Sequence, residues 1–224
     1  MKRIFTKKKY ENIISLGHFC SVALEMERYG LRSHSYPFDW LISDNFGSVI
    51  DLINNNFEGF FDKLHFIEGY QDEGYVRNDR FHVDFYHDFV GGKSLDSQLM
   101  EVHNKYDRRI KRFYRDISNK TLFIRYVGSR EEFDWIYSNR VFIEDSIRKY
   151  CEDNKIVYIG KDYGIIPRGI EYYFVSPDKN DTVARHFVLK SKIMLIFFDP
   201  FIIGFRKRIN NSIFQIKKHI VYKK

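Results

Sequence analysis

Cysteine is scarce in this chain, and so are proline and long apolar runs. The two cysteines, Cys20 and Cys151, are too few for a framework of several disulfides. Only 4 prolines and 13 glycines occur among 224 residues, which excludes a collagen-like or low-complexity chain. The N-terminal segment lacks the uninterrupted apolar stretch and the cleavage site of a signal peptide. We therefore expect a cytoplasmic protein without structural disulfides.

The chain does have enough apolar surface for a core. Hydrophobic residues make up 44% of the sequence and aromatic residues 18%, including 22 Phe and 16 Tyr. A length of 224 residues suits one domain rather than a series of modules. We expect residues 1–200 to form that domain and residues 201–224 to form a C-terminal helix.

The net charge of +7 is concentrated at the two ends of the chain. Residues 1–9 carry five basic side chains and residues 200–224 carry seven, and neither segment has an acid. The other 25 basic and 30 acidic residues give the body a net charge of −5. A nucleic-acid groove would instead place Lys and Arg along one face of the fold, so we expect no nucleic-acid partner.

The basic C-terminal segment also has helical periodicity. Its isoleucines recur at steps of four, three and four residues at Ile209, Ile213, Ile216 and Ile220. This pattern is typical of an amphipathic helix on an anionic membrane surface, which would place the protein at the inner face of the membrane. A terminal helix that docks on the body would have the same apolar stripe, so both interpretations stand. The preceding apolar segment, residues 193–205, is too short and too broken to span a bilayer.

Strand and helix patterns alternate along the body. Apolar runs predict strands near residues 13–16, 122–127, 156–160, 172–175 and 193–198, with extended segments near 64–68 and 80–87. Helical spacing predicts a long helix over 94–118 and shorter helices before Gly30, after a cap at Ser43 or Asp44, and over 139–151. The alternation predicts an α/β or α+β fold with a single mixed sheet flanked by helices.

Cys20 lies at the predicted turn between the first strand and the first helix. Unpaired amides and the positive end of a helix dipole stabilise a thiolate there and lower the pKa of the thiol. Amides from Gly17 to Cys20 would also suit an oxyanion hole. Packing as a small apolar side chain is the alternative for any free cysteine, and we assign it to Cys151, which lies late in a predicted helix.

A thiolate nucleophile requires a base, normally a histidine that a polar group orients. The segment RFHVDFYHDF supplies His82 and His87, with Asp84 and Asp88 beside them. Because side chains alternate along a strand, both histidines can face Cys20 only if the strand ends between them. The same alternation argues against a shared metal ion, so we expect neither a metal nor a cofactor. Packing in the core is the alternative for each histidine.

Two further segments supply candidate binding residues. The loop SYPFDW can return to the turn that holds Gly17 and Cys20. Its Asp39 would orient a histidine or bind substrate, and its Trp40 would line a pocket, whereas helix capping and core packing are the alternatives. Arg125, in the strand LFIRYV, requires an anion, which is either an internal carboxylate or a substrate group.

The chain resembles a bacterial family of unknown function that is described as papain-like cysteine peptidases. The resemblance rests on SLGHFCSVALEMERYGLRSHSYPFDWLIS, on HDF at 87–89, on YDRRIKRF at 106–113 and on LFIR at 122–125. It covers roughly residues 12–160. It implies that Cys20 is the nucleophile and His87 the base, with Asp39 or Asp88 as the orienting group.

The spacing differs from that of papain-like enzymes. Those carry a C-G-[SA]-C-[WY] signature with the histidine about 130 to 150 residues downstream. Here the cysteine lies in LGHFCS, His82 and His87 follow it by 62 and 67 residues, and His186 follows it by 166. All three histidines therefore stay candidates for the base.

These features predict a cysteine-dependent hydrolase or acyl transferase with a Cys–His pair. Its unknown substrate would be a peptide or a glycan-linked acyl group. The resemblance also suggests a transferase or modifying enzyme of cell-surface polysaccharide assembly. A non-catalytic binding domain, in which Cys20 and His87 only pack, is the alternative from another class.

Overall fold

The computed structural model describes residues 9–164, 166–177 and 187–188. Within them, five α-helices lie at Ser21–Arg28 (α1), Phe46–Asn54 (α2), Leu95–Ile117 (α3), Arg130–Ser138 (α4) and Arg140–Arg148 (α5). A short 3-10 helix spans Pro37–Trp40. The strands are Asn12–Ser15 (β1), Leu41–Ser43 (β2), Leu64–Phe66 (β3), Val76–Asn78 (β4), Val83–Phe85 (β5), Thr121–Val127 (β6), Lys155–Gly160 (β7), Tyr172–Phe174 (β8), Ser176–Pro177 (β9) and Phe187–Val188 (β10).

Four strands form a parallel sheet in the order β1-β6-β7-β8. β6 lies inside this sheet and all seven of its residues are buried, as its continuous apolar run predicts for a strand covered on both faces. On one face, Leu122 and Ile124 pack with Val22 and Met26 of α1. On the other, Phe123 belongs to the larger core cluster, which includes buried residues of α2, α3 and α5.

A second sheet is antiparallel and has the order β2-β5-β4-β3. The prediction of a single mixed sheet is therefore wrong, whereas the α/β class is confirmed. All four strands of this sheet lie between β1 and β6 in the chain, and each has three residues. β4 and β5 are separated by only four residues and β3 and β4 by nine. Such connections suit antiparallel neighbours, whereas parallel neighbours require a crossover of about a dozen residues or more. The two sheets share one core, to which β5 contributes Val83 and Phe85.

Most of the helices and strands predicted in the body of the chain are present in the structure. The long helix is confirmed as α3, and the predicted strands are confirmed as β1, β6, β7 and β8. The cap of α2 is Asn45 rather than the predicted Ser43 or Asp44, and its side chain accepts the Ser48 amide at 3.3 Å. β2, β4 and α4 were not predicted. The predicted strand at 193–198 and the C-terminal helix lie outside the described residues. Within the described ranges, none of the helices combines the length and apolarity needed to cross a membrane.

Candidate active site

Cys20 is the N-cap residue of α1, at the end of the turn that follows β1. Its carbonyl accepts the Leu24 amide at 3.0 Å, so helical hydrogen bonding begins at this residue. The first turn of α1 carries no acidic side chain that would oppose a thiolate. The predicted strand-to-helix position of the cysteine is confirmed. Cys20 is half-buried, which leaves part of the residue open to solvent.

The turn before Cys20 has an unusual backbone that β2 holds in place. Gly17 and His18 have φ angles of +77° and +85°. A Cβ at position 17 would lie 2.9 Å from Ser43 Oγ and 3.1 Å from the Phe38 carbonyl, so only glycine fits. The Ser43 amide donates to the His18 carbonyl at 2.9 Å. A left-handed histidine stores about 1 to 3 kcal/mol of strain, and contacts such as these are what maintain it.

Asp39 lies in the 3-10 helix that returns to this turn. It is fully buried, and its carboxylate accepts hydrogen bonds from the Tyr36 amide at 2.9 Å and from Arg32 Nε at 3.0 Å. Burial raises the pKa of the Asp39 carboxyl, whereas Arg32 and the Tyr36 amide oppose that rise. The capping alternative for Asp39 is therefore present in the structure, and its role in orienting a histidine stays a prediction.

His87 lies beside Trp40. The two rings meet edge to face with centroids 6.0 Å apart, and the Arg32 guanidinium lies 5.1 Å from the Trp40 ring. The pairing of β2 with β5 produces this contact, because Leu41 lies opposite Phe85. Partial desolvation lowers the pKa of His87, and Lys105 adds to this effect while Asp88 opposes it. A lowered pKa keeps the imidazole neutral at pH 7, the state that a base requires.

β5 separates the two candidate histidines. It spans Val83–Phe85, so His82 precedes the strand and His87 follows it. His82 is exposed and has a φ of +50°. The histidines therefore lie at opposite ends of a three-residue strand rather than on opposite faces of a longer one.

Asp88 is turned towards α3. Its side chain is 2% exposed and accepts a hydrogen bond from the Tyr106 hydroxyl at 2.8 Å. Lys105 forms an ion pair with it, and Arg109 Nη1 lies 4.0 Å from its carboxylate. Contacts with α3 thus hold Asp88, and its charge raises the pKa of His87. The role of Asp88 as the orienting group stays a prediction.

Arg125 is completely buried and forms hydrogen bonds beside the Cys20 turn. It donates to Glu132 through Nε at 2.9 Å and through Nη2. It also donates to the Leu16 carbonyl and to Ser43 Oγ, each at 2.9 Å. The internal ion pair that the sequence left open is therefore present, and substrate binding by Arg125 stays a prediction.

β2 connects the two parts of the candidate site. Trp40, just before β2, contacts His87, and Ser43, at its end, contacts His18 in the Cys20 turn. Cys151 lies beyond the end of α5, without the N-terminal helix position that Cys20 has. Among the described residues, no group of three or more His, Cys, Asp or Glu side chains is arranged to hold a metal ion.

The sequence analysis did not identify His18 or Glu132 as part of this region. The only signal for His18 was its place two residues before Cys20. Glu132 lies in α4, which was not predicted, and its contact with Arg125 depends on the packing of that helix on β6.

Comparison with known proteins assigns the family. Residues 11–145 match the model of a family described as "Putative papain-like cysteine peptidase (DUF1796)". The chain belongs to this family. The matched segment contains the Cys20 turn, the 3-10 helix and the HDF segment, so the suggested resemblance is confirmed.

A viral relative extends the comparison. The chain is 33% identical over 135 residues to "Uncharacterized protein R408" of Acanthamoeba polyphaga mimivirus. The aligned region covers 50% of this chain and 60% of that protein, so the chain spans less than two thirds of the relative's length. No solved structure matches the chain.

Proposed function

We propose that this chain is a cysteine hydrolase or acyl transferase with Cys20 as the nucleophile and His87 as the base. Membership of the cysteine peptidase family supports the reaction class. The observation that carries the proposal is the position of Cys20 as the half-buried N-cap of α1, after a strained turn fixed by β2. The helix N-terminus favours the thiolate, and the fixed turn fits a nucleophile that must be held in one geometry.

The reaction follows from these groups. Cys20 loses its proton to His87, and its sulfur attacks the carbonyl carbon of the substrate. The Gly17 and His18 amides donate to Ser15 Oγ and Ser43 Oγ, at 3.0 and 3.3 Å. The resulting oxyanion therefore accepts hydrogen bonds from amides at the Cys20 end of the 17–20 turn. When the intermediate collapses, the bond to the leaving group breaks and His87 returns the proton to that group. Water or another acceptor then attacks the thioester, and the thiol is released.

The other candidate residues have supporting roles in this scheme. The absence of a side chain at Gly17 lets the turn approach Phe38 and Ser43. Trp40 lies against His87 and forms one wall of the substrate site, while the charge of Asp88 raises the pKa of His87. Asp39 holds Arg32, whose guanidinium lies over the Trp40 ring. Arg125 holds the Leu16 carbonyl and thereby the start of the turn.

Thiol labelling tests the nucleophile. Iodoacetamide should modify Cys20 much faster than Cys151 at pH 7, because a helix N-terminus raises the thiolate fraction. Mass spectrometry of the two cysteine peptides measures both rates in one sample, and Cys20→Ser and Cys151→Ser identify each signal. Equal rates, or faster labelling of Cys151, would contradict the proposal.

Three histidine variants test the base. His87→Ala should slow the labelling of Cys20 at pH 6 to 7, whereas His82→Ala should leave it nearly unchanged. His186 lies outside the described residues, but it precedes β10, which lies beside α1. A loss in His186→Ala alone would assign the base to that residue, and a loss in His82→Ala alone would assign it to His82.

A substrate screen separates hydrolysis from transfer. Peptide and glycan-linked acyl substrates should be compared with water alone and with added amine or hydroxyl acceptors. Product formation that requires an acceptor would favour the transferase, including one that acts in cell-surface polysaccharide assembly. A chain whose Cys20 labels no faster than Cys151 and that turns over no acyl substrate would favour a binding domain.

A further inference from the structure

The segment that carries His87 is irregular, because β5 ends at Phe85. His87 itself is exposed, so neither strand pairing nor burial fixes the place of its imidazole. A base must be held within reach of the proton that it removes. The contacts that hold this segment therefore matter for the proposed reaction.

Asp88, the next residue, is bound by three side chains of α3. Its side chain is 2% exposed. Oδ2 accepts a hydrogen bond from the Tyr106 hydroxyl at 2.8 Å, and Oδ1 pairs with Lys105 Nζ at 2.5 Å. Arg109 Nη1 lies 4.0 Å from Oδ1. Both carboxylate oxygens thus face α3, and the influence of Asp88 on His87 is an effect of charge.

Arg109 also acts on the second buried carboxylate of the site. It belongs to the segment YDRRIKRF, to which the proposed function gives no role. Its charge, together with that of Arg32, opposes the rise in the pKa of the Asp39 carboxyl. Arg109 Nη1 is buried and makes no hydrogen bond among the described residues. This atom therefore acts on its neighbours through charge rather than through a directed bond.

The two carboxylates flank the contact between Trp40 and His87. Asp39 directly precedes Trp40 in the chain, and Asp88 directly follows His87. The two rings meet edge to face, with centroids 6.0 Å apart. Arg109 thus links, by charge, the two segments whose rings meet.

α3 also holds the loop that carries Trp40. Arg112 Nη1 donates a hydrogen bond to the Ser35 carbonyl at 2.8 Å. The Phe113 ring packs on Phe38, with centroids 6.1 Å apart. Both ring-bearing segments are therefore attached to the same helix.

We propose that one turn of α3 positions the proposed base by binding Asp88, through the side chains of Lys105, Tyr106 and Arg109. The inference rests on the proposed function, because it takes His87 as the base. In this role Asp88 anchors the segment to α3 and does not accept a hydrogen bond from the imidazole. The three α3 side chains act through Asp88 and not on the substrate, so they are positioning residues.

The first test is NMR of the full-length Cys20→Ser variant, with and without Tyr106→Phe. Phenylalanine keeps the buried ring and removes only the hydroxyl that donates to Asp88. Nuclear Overhauser contacts between the His87 and Trp40 rings should be present in the parent protein and lost in Tyr106→Phe. Unchanged contacts would overturn the inference, because packing would then hold the imidazole without the hydrogen bond.

The second test is the pH profile of Cys20 labelling in Tyr106→Phe. Because a misplacement of about 1 Å can cost about 100-fold, partial loosening of the segment should slow labelling about tenfold at pH 7. At pH 10 the two proteins should label alike, since a thiol with an ordinary pKa of about 8.5 ionises there without a base. An equal loss at both pH values would indicate a change in access to the thiol, which would also overturn the inference.

Tyr114→Phe is the matched control. Tyr114 lies on the same helix, about two turns further on, and its hydroxyl donates to the Ile53 carbonyl at 2.9 Å. Both tyrosine variants should therefore lose stability in urea unfolding. Only Tyr106→Phe should change the ring contacts and the labelling at pH 7. An equal slowing in Tyr114→Phe would assign the effect to stability and contradict the inference.

Two variants of Arg109 separate charge from hydrogen bonding. Because Arg109 Nη1 makes no hydrogen bond among the described residues, a lysine can supply the same charge. Arg109→Lys should keep most of the labelling rate of Cys20 at pH 7, whereas Arg109→Met should lower it as Tyr106→Phe does. Circular dichroism checks that each variant is folded. Equal rates in the two Arg109 variants would contradict the inference.

The measurements also separate the inference from the proposed function. If His87→Ala labels as fast as the wild type, the proposed function fails, and the ring contacts still decide whether α3 positions the histidine. If His87→Ala labels slowly while Tyr106→Phe keeps both the ring contacts and the wild-type rate, the proposed function stands and the inference fails.

Discussion

Arg125 joins three parts of the chain that lie far apart in sequence. It contacts the Leu16 carbonyl before the Cys20 turn, Ser43 at the end of β2, and Glu132 in α4. A buried guanidinium without its carboxylate is costly, because the uncompensated charge remains out of water. The ion pair therefore fixes the turn only while both partners are present.

Replacement of Glu132 by Gln should lower the free energy of unfolding by about 3 to 5 kcal/mol, because it leaves Arg125 buried without a counter-charge. Urea unfolding followed by circular dichroism measures the loss. Glu144→Gln is the control, since it breaks a partly exposed i,i+4 pair with Arg148 and should cost only about 0.3 to 0.5 kcal/mol. A similar cost for both variants would show that the burial of the Arg125 pair does not matter.

Asp116 gives the stability of the protein a dependence on acidic pH. Burial raises the pKa of its carboxyl, but hydrogen bonds from Arg115 and Tyr36, at 2.7 and 2.8 Å, outweigh that effect and lower the pKa. A carboxyl with a lowered pKa in the folded state stabilises the fold above its unfolded pKa of about 3.9, and this contribution is lost as the pH falls.

Asp116→Asn should therefore flatten the acid limb of the stability profile. The wild type should lose more free energy of unfolding between pH 6 and pH 3 than the variant, although the variant is less stable at pH 6. Urea unfolding at several pH values gives both curves. Parallel curves over this range would show that Asp116 titrates alike in the folded and unfolded chains.

Asn154 connects the ends of three secondary-structure elements. Its Nδ2 donates to the carbonyls of Ile117 and Ile147, near the ends of α3 and α5, at 2.8 and 3.0 Å. Its Oδ1 accepts the Thr121 amide at the start of β6 at 2.9 Å. The side chain is completely buried, so these backbone groups have no access to water in its place.

Asn154→Ala should cost about 2 to 4 kcal/mol, because several buried backbone groups lose their partner at once and each costs about 1 to 3 kcal/mol in isolation. Chemical unfolding measures this change. Asn119→Ala removes an exposed amide that bonds the Arg115 carbonyl and should change stability by less than about 0.5 kcal/mol. A cost near that of the control would mean that the three elements are held together by packing alone.

Element prediction succeeded where the apolar pattern was long. α3 places Val102, Tyr106, Phe113 and Ile117 in the core at the predicted spacing, and β6 is a continuous apolar run. β2 and β4 were missed because they have three residues each, which is too short for a periodicity of two to be detected. β3 and β5, equally short, lie within longer segments that were predicted as extended. α4 was missed because one of its three buried residues is the charged Glu132, which obscures its apolar face.

The sequence predicts those parts of the candidate site whose residues lie close together in the chain. The position of Cys20 follows from a strand, a glycine and a helix within one short segment. The contact of His87 with Trp40 depends on the register of β2 with β5, and the contacts of Arg125 depend on tertiary packing. Neither could be read from spacing, because the partners are brought together only by strands and helices that are distant in sequence.

The charge distribution leads to a prediction for the whole molecule. We expect the full-length protein to co-sediment with vesicles that contain anionic lipid at low salt, because each basic residue near such a surface contributes about 1 kcal/mol. Higher salt should release it, since salt screens the attraction. Truncation after Ile203 should abolish binding without unfolding the body. If the truncated protein is unfolded while the intact protein does not bind the vesicles, the predicted C-terminal helix would belong to the core instead.

The adjacency of β1 and β6 has a consequence for synthesis. These strands are parallel neighbours, yet the second sheet and α3 lie between them in the chain. Closing such a long loop delays the pairing of β1 until β6 is available. A nascent chain that has just left the ribosome thus exposes Cys20 well before Arg125, Ser43 and Glu132 can assemble around its turn. The thiol acquires its folded surroundings only after translation has passed residue 132, so reactivity should arise late and with the fold as a whole.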